Sequence, residues 1–139
     1  MSSHHIIRED QEPALLILDT MAVDFVQVQE LLEWSPTVMV SEQALKEVLS
    51  WGIKIDIVIA SEENVSNLKN SLLDQSPVKL HSYTNKGALA TAVDLLISSR
   101  QKAVNVFATE PLESFEVFSS LDISVFHSGK RWSYIRNRS

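Results

Sequence analysis

The side chains that could do chemistry gather in five short stretches: Asp19-Thr20, Ser41-Glu42-Gln43, Ser61-Glu62-Glu63-Asn64, Thr84-Asn85-Lys86-Gly87 and Thr109-Glu110-Pro111. Acidic groups with a lysine are the parts that hold a metal-bound nucleotide: carboxylates take the divalent cation, and the ammonium and bare backbone amides take the phosphate oxygens. The backbone half of that arrangement is missing. Glycine occurs only at Gly52, Gly87 and Gly129, so no glycine-rich loop can bring amides close around a pyrophosphate. A structural reading covers the same residues. Ser41 and Ser61 look like helix N-caps, and Glu42, Glu62 and Glu63 fall in first turns, where the helix dipole favours negative charge; each cap contributes about 1 kcal/mol.

Other chemistries lack their residue sets. Asp19 follows an apolar run, but aspartyl-phosphate chemistry of the phosphatase kind would place a second Asp two residues on, where Met21 stands. Asp19 therefore reads as a cap or turn residue. His4 and His5 are adjacent near the N-terminus, His81 lies in a strand-like run and His127 beside a turn, with no spacing that unites them as metal ligands. No serine is flanked by the glycines of a nucleophile elbow. The chain has no cysteine, which removes disulfides, thiolate metal sites and cysteine nucleophiles and suits a reducing compartment.

Charge narrows the partners. The formal net charge is -6, yet Lys130, Arg131, Arg136 and Arg138 place four of the twelve cationic residues in the last ten positions. Before them, 8 basic residues face 18 acidic ones, so the body of the protein repels nucleic acid and the tail reads as a solubilising or self-docking end. No apolar run reaches the roughly 18 residues of a membrane helix, and the start is polar where a signal peptide would be apolar. The expectation is a cytoplasmic protein without a membrane partner.

The elements that must position these residues are legible from periodicity. Apolar, β-branched runs at Ala14–Leu18, Thr37–Val40, Ile55–Ala60, Val78–Ser82, Ala103–Phe107 and Ile123–Phe126 predict buried strands. Helical stripes lie between them: Phe25, Val28, Leu31 and Leu32; then Ala44, Leu45, Val48 and Leu49; then Val65, Leu68, Leu72 and Leu73; then Leu89, Ala92, Val93, Leu96 and Ile97. A fifth helix is expected over Leu112 to Leu121. Strict alternation of strand and helix predicts one α/β domain of three layers, a mostly parallel sheet with helices on both faces. Ser128-Gly129, between Phe126 and Trp132–Ile135, predicts a closing antiparallel hairpin. The five polar stretches then fall at strand carboxyl ends, where open parallel sheets bind ligands.

Read together, these stretches resemble the catalytic α/β domain of thiamine pyrophosphokinases, which transfer pyrophosphate from ATP to thiamine. Gly52-Ile53-Lys54-Ile55-Asp56-Ile57-Val58-Ile59 is similar to the family's G-x-x-P-D-hydrophobic strand that leads into a G-D-x-D-S motif. The opening residues 2–15 and Leu31-Leu32-Glu33-Trp34-Ser35-Pro36 resemble a bacterial branch of that family, and Lys86 through Val106 its K-D-x-T-D helix and strand. The similarity covers most of residues 1–109.

The family's functional positions are altered one after another. Its D-G pair falls on Glu42-Gln43, and its G-D-x-D-S on Ala60-Ser61-Glu62-Glu63-Asn64, which leaves Glu63 as the lengthened second carboxylate. The K-D-x-T-D aspartates fall around Asn85, Gly87 and Ala88, with Lys86 retained, and the later G-x-R-x-D-H falls on Glu110 to Phe115. The resemblance thus implies a single thiamine pyrophosphokinase-like domain over residues 1–139, without the family's C-terminal β-sandwich that helps hold thiamine. It implies a vestigial cofactor cleft at Glu42, Ser61, Glu63 and Lys86, with no catalytic residue and no metal set. Losing even one stabilising group costs such a transfer about 10²–10³ in rate, so the expectation is an inactive binding or assembly module without a cofactor; the alternative is a surviving thiamine diphosphokinase or nucleotide binder in which Glu42, Glu63 and Lys86 hold ATP and Mg²⁺ in a degenerate arrangement. Subunit pairing through this domain, as in the family, implies a homodimer, for which Trp34, Trp51 and Trp132 are candidate contacts; an unknown protein partner is the other possibility.

Overall fold

The computed structural model of the chain describes residues 12–72, 78–83, 87–109, 121–127 and 130–134. The apolar runs become strands because β-branched and aliphatic side chains fit a pleated surface covered on both faces. They are β1 (Ala14–Ile17), β2 (Val38–Ser41), β3 (Ile57–Ser61), β4 (Lys79–Tyr83), β5 (Ala103–Phe107), β6 (Asp122–His127) and β7 (Lys130–Tyr134). The four amphipathic stripes become α1 (Phe25–Leu32), α2 (Glu42–Ser50), α3 (Glu62–Ser71) and α4 (Gly87–Ser98). A short 3-10 turn, Thr20–Ala22, links β1 to α1.

All the described strands join one sheet in the order β4-β3-β2-β1-β5-β6-β7. Pairing is parallel from β4 through β6, and β6 and β7 close antiparallel, with Val125 opposite Trp132 and Phe126 opposite Arg131. The α/β class, the mostly parallel sheet and the terminal hairpin expected from the sequence are all present. The chain steps outward from β1 to β4, then crosses back to lay β5 on the other side of β1. That reversal puts the topological switch point between β1 and β5.

Alternate residues of each strand feed two separate cores. On one face Leu15, Ile17, Val38, Val40 and Val58 pack with Val28 of α1, Ala44, Leu45 and Val48 of α2, and Leu68 and Leu72 at the α3 end. On the other, Leu16, Met39, Ile59, Val104, Val106, Ile123 and Val125 pack under Ala92, Val93 and Leu96 of α4. Helices therefore cover both faces, as right-handed crossovers require when the chain reverses direction along the sheet.

Strand bounds shift by a residue or two from the sequence reading, β2 to Val38–Ser41 and β3 to Ile57–Ser61. The fourth strand lies one residue later than expected, at Lys79–Tyr83, because pairing with β3 sets Tyr83 opposite Ser61. The expected helix over Leu112 to Leu121 lies outside the described residues except for Leu121, which is buried in the α4-side core. No described helix is long and apolar enough to cross a membrane.

Candidate functional site

The carboxyl ends of β1, β2, β3, β4 and β5 form one edge of the sheet, and the described residues of the polar stretches after β1, β2, β3 and β5 lie there. Each parallel strand ends with carbonyl and amide groups that have lost their ladder partners, so something must bond them. In many folds of this kind a ligand does so. Here the chain's own side chains do.

At β1, the Leu18 carbonyl accepts from Ser41 Oγ at 2.7 Å and from Gln43 Nε2 at 2.8 Å. Ser41 stands at the N-cap position of α2, as expected, but its hydroxyl makes no cap bond and reaches across to β1 instead. Asp19 is the cap that the sequence suggested: Oδ1 accepts from the Met21 N–H at 2.9 Å, at the start of the 3-10 turn. Its other oxygen accepts from Thr109 Oγ1 at 2.8 Å. Thr109 follows β5, so this bond spans the switch point, the crevice where an open α/β sheet most often receives its ligand.

Glu42 organises the other half of the edge. It is the first residue of α2, and its carboxylate leans over the ends of β3 and β4. Oε2 accepts from Asn64 Nδ2 at 2.8 Å and from the Ser61 backbone N–H at 3.3 Å, and Oε1 accepts from the Tyr83 hydroxyl at 3.1 Å. Partial burial pushes the Glu42 pKa up, but the donors from Asn64, Ser61 and Tyr83 together outweigh it and hold the group below its ordinary value. The partner shifts the opposite way: the hydrogen bond to Glu42, then burial and repulsion by the same charge, raises the Tyr83 phenol. The geometry and both shifts describe an ionised Glu42 with a neutral Tyr83 donating to it.

Ser61 sits at the N-cap position of α3, again without a side-chain cap bond. Its N–H, at a helix start where an anion would be favoured, points instead at Glu42. The carboxylate therefore occupies the place of an oxyanion. Glu62 and Glu63 are exposed in the first turn of α3. Of the four residues expected to form a cofactor cleft, the fold joins Glu42 to Ser61, leaves Glu63 exposed beside them, and Lys86 lies outside the described residues. Two participants were not foreseen in these roles. Asn64 was read only as part of the acidic stretch, and Tyr83 lay just past the predicted strand; its position at a strand end was the available signal.

These described residues do not suit a magnesium nucleotide. Both Glu42 oxygens and the α3 amide are already engaged, and no three His, Asp or Glu side chains among the described residues converge as a metal site. What the edge does chemically is bond to itself, from Thr109 through Asp19 at one end to Tyr83 at the other. Comparison of the chain with protein-family models, curated proteins and solved structures gives no match.

Proposed function

We propose that this protein is a thiamine pyrophosphokinase-like α/β domain that no longer transfers pyrophosphate and works as a binding or assembly module. The observation that carries the reading is the Glu42 carboxylate seated on the Ser61 N–H, Asn64 and Tyr83. Phosphoryl-group transfer relies on positive groups and free amides aimed at developing negative charge. A fixed carboxylate in that position repels a phosphate and uses up its donors. The altered motif positions named above point the same way, and the Asp19–Thr109 bond ties the switch-point crevice across.

The assembly half of the reading draws on exposed apolar side chains. Trp34 is 59% and Trp132 43% exposed, and Met21, Phe25 and Val26 stand out from the start of α1 and the turn before it. Aromatic and methionine side chains of this kind are enriched in protein interfaces. Trp51 is a weaker contact candidate, being partly buried and packed edge-on against Phe25 with ring centroids 5.3 Å apart.

The test is a thiamine pyrophosphorylation assay beside calorimetry with ATP and Mg²⁺. The expected outcome is no thiamine diphosphate and no saturable heat at about millimolar nucleotide. Formation of thiamine diphosphate overturns the proposal. Saturable heat that disappears in Glu63→Ala replaces it with a nucleotide-binding protein.

A further inference from the structure

At the opposite end of the sheet, on the face covered by α1 to α3, side-chain chemistry changes abruptly between strands. Over β1 and β2 this face is apolar, with Leu15 opposite Val38 and Ile17 opposite Val40. The same rows continue onto β5, β6 and β7 as Asn105, Ser124 and Ser133, and as Phe107, Phe126 and Arg131. A groove of about 480 Å³ lies over these rows, within the size range of small-molecule sites. Leu15, Leu31, Trp34 and Pro36 make its apolar wall.

Asn105 lies in the floor of this groove and is only 7% exposed. Asn105 and Ser41 are the buried polar residues of the described chain. Ser41 is bonded to Leu18, whereas Asn105 lines the groove. An amide in the floor of a groove offers a donor and an acceptor to whatever enters it. The neighbouring row supplies more donors. Arg131 Nη2 reaches Ser124 Oγ at 3.2 Å, Ser124 and Ser133 hydroxyls lie 3.4 Å apart, and the guanidinium rests 5.9 Å from the centroid of the Phe126 ring. Arg131 makes no ion pair with a described residue. The rigid fork of a guanidinium held in this way matches a carboxylate.

We propose that the groove binds a small monocarboxylate with an aromatic or aliphatic body. The carboxylate meets Arg131 and the Asn105 amide, and the body lies against Leu15, Leu31 and Trp34. Glu12 and Asp122 also line the groove, and Asp122 stands two residues before Ser124 on β6, about 7 Å away along an extended strand. Negative charge from Glu12 opposes polyphosphates and tolerates an amino group, so the site favours amino-acid-like acids over nucleotides. It shares no residue with the Glu42 network, so loss of pyrophosphate transfer and carboxylate binding are tested separately, whereas Trp34 is common to this groove and to the assembly surface.

Calorimetry on the full chain with phenylpropionate, phenylalanine, phenethylamine and inorganic phosphate tests it. The expected result is saturable binding of the two carboxylates at about millimolar concentration, and none of the amine or of phosphate. Arg131→Gln, on an edge strand, and Asn105→Leu, close in volume, are expected to weaken binding by about tenfold or more while circular dichroism stays unchanged. Amide-proton and side-chain NMR shifts should localise to Asn105, Ser124 and Ser133. The proposal is overturned by absence of carboxylate binding at about 10 mM, by binding that Arg131→Gln leaves intact, or by equal binding of phenethylamine. Should Asn105→Leu unfold the protein, Arg131→Gln and the NMR shifts decide alone.

Discussion

A single carboxylate carries much of the strand-end architecture. Glu42 takes hydrogen bonds from three residues on three other elements, β3, α3 and β4, so Glu42→Ala removes the acceptor for all of them. Hydrogen bonds to a charged group contribute about 1.5–3 kcal/mol when partly buried, and solvent at this edge reduces that; the expected loss is about 1–2 kcal/mol in urea unfolding. Tyr83→Phe removes one of the donors and should cost about 1 kcal/mol or less. Because the bonds share an acceptor, the double variant should lose less than the two single losses combined. The pH dependence has a definite sign. The folded-state pKa of Glu42 is lowered from 4.5, so its contribution is complete above that unfolded value and disappears as pH falls through the folded value. Tyr83 is raised; its contribution is complete below about pH 10 and fades as pH rises through the folded value. Glu42→Gln should flatten the acid limb of a stability profile, and an unchanged limb would show that the network does not contribute.

Helix ends provide an internal comparison at the scale of elements. The chain leaves α2 through Gly52 at φ +72°, with nothing within 4 Å of where a Cβ would lie. The chain leaves α4 through Arg100 at φ +64°, with the Arg100 N–H on the Ile97 carbonyl and the Gln101 N–H on the Leu96 carbonyl, the paired bonds of a Schellman ending. Both positions are left-handed, but only one has the residue that adopts this conformation without a Cβ penalty. Gly52→Ala should destabilise by about 1 kcal/mol purely through backbone strain, and Arg100→Gly should stabilise by up to about 1 kcal/mol. Thermal melts of the two variants should shift in opposite directions. The N-terminal ends are different. Ser41 and Ser61 occupy cap positions but neither makes the cap bond, and Ser41 donates instead to the Leu18 carbonyl, which also has Gln43. Ser41→Ala should therefore cost only about 1 kcal/mol, because Leu18 keeps its second donor.

For the whole molecule, the open question is what meets its outer strands and its exposed aromatics. β7 is an edge strand carrying Lys130 and Arg131, and cations on an edge resist pairing with a second sheet. Self-association is thus better served by the Trp34, Trp132 and Phe25 surfaces than by sheet extension. Light scattering at micromolar and higher concentration should find a dimer that Trp132→Ser or Trp34→Ser weakens. A strict monomer would remove the homodimer and leave an unrelated partner as the assembly reading. The surplus of acidic over basic residues makes nucleic acid a poor partner, and any binding through the cationic tail should collapse with added salt.

Local order was readable from residues alone, because strand and helix periods are properties of near neighbours. The runs around Ala14–Leu18 and Ala103–Phe107 and the stripe of Leu89, Val93 and Leu96 carry their own periods of two and 3.6, and strict alternation of the two fixes the α/β class. The roles of the polar side chains depend instead on strand order, which no short window encodes. Glu42 meets Tyr83 across 41 positions and Asp19 meets Thr109 across 90. Asn105, one polar residue inside a buried run, becomes a groove floor only because β5 lies beside β6 and β6 beside β7. Composition and pattern determined which segments fold and that the ends of the strands would be polar. Tertiary structure decided which of those polar groups satisfy one another, because a hydrogen bond is made by distance and direction and not by proximity along the chain.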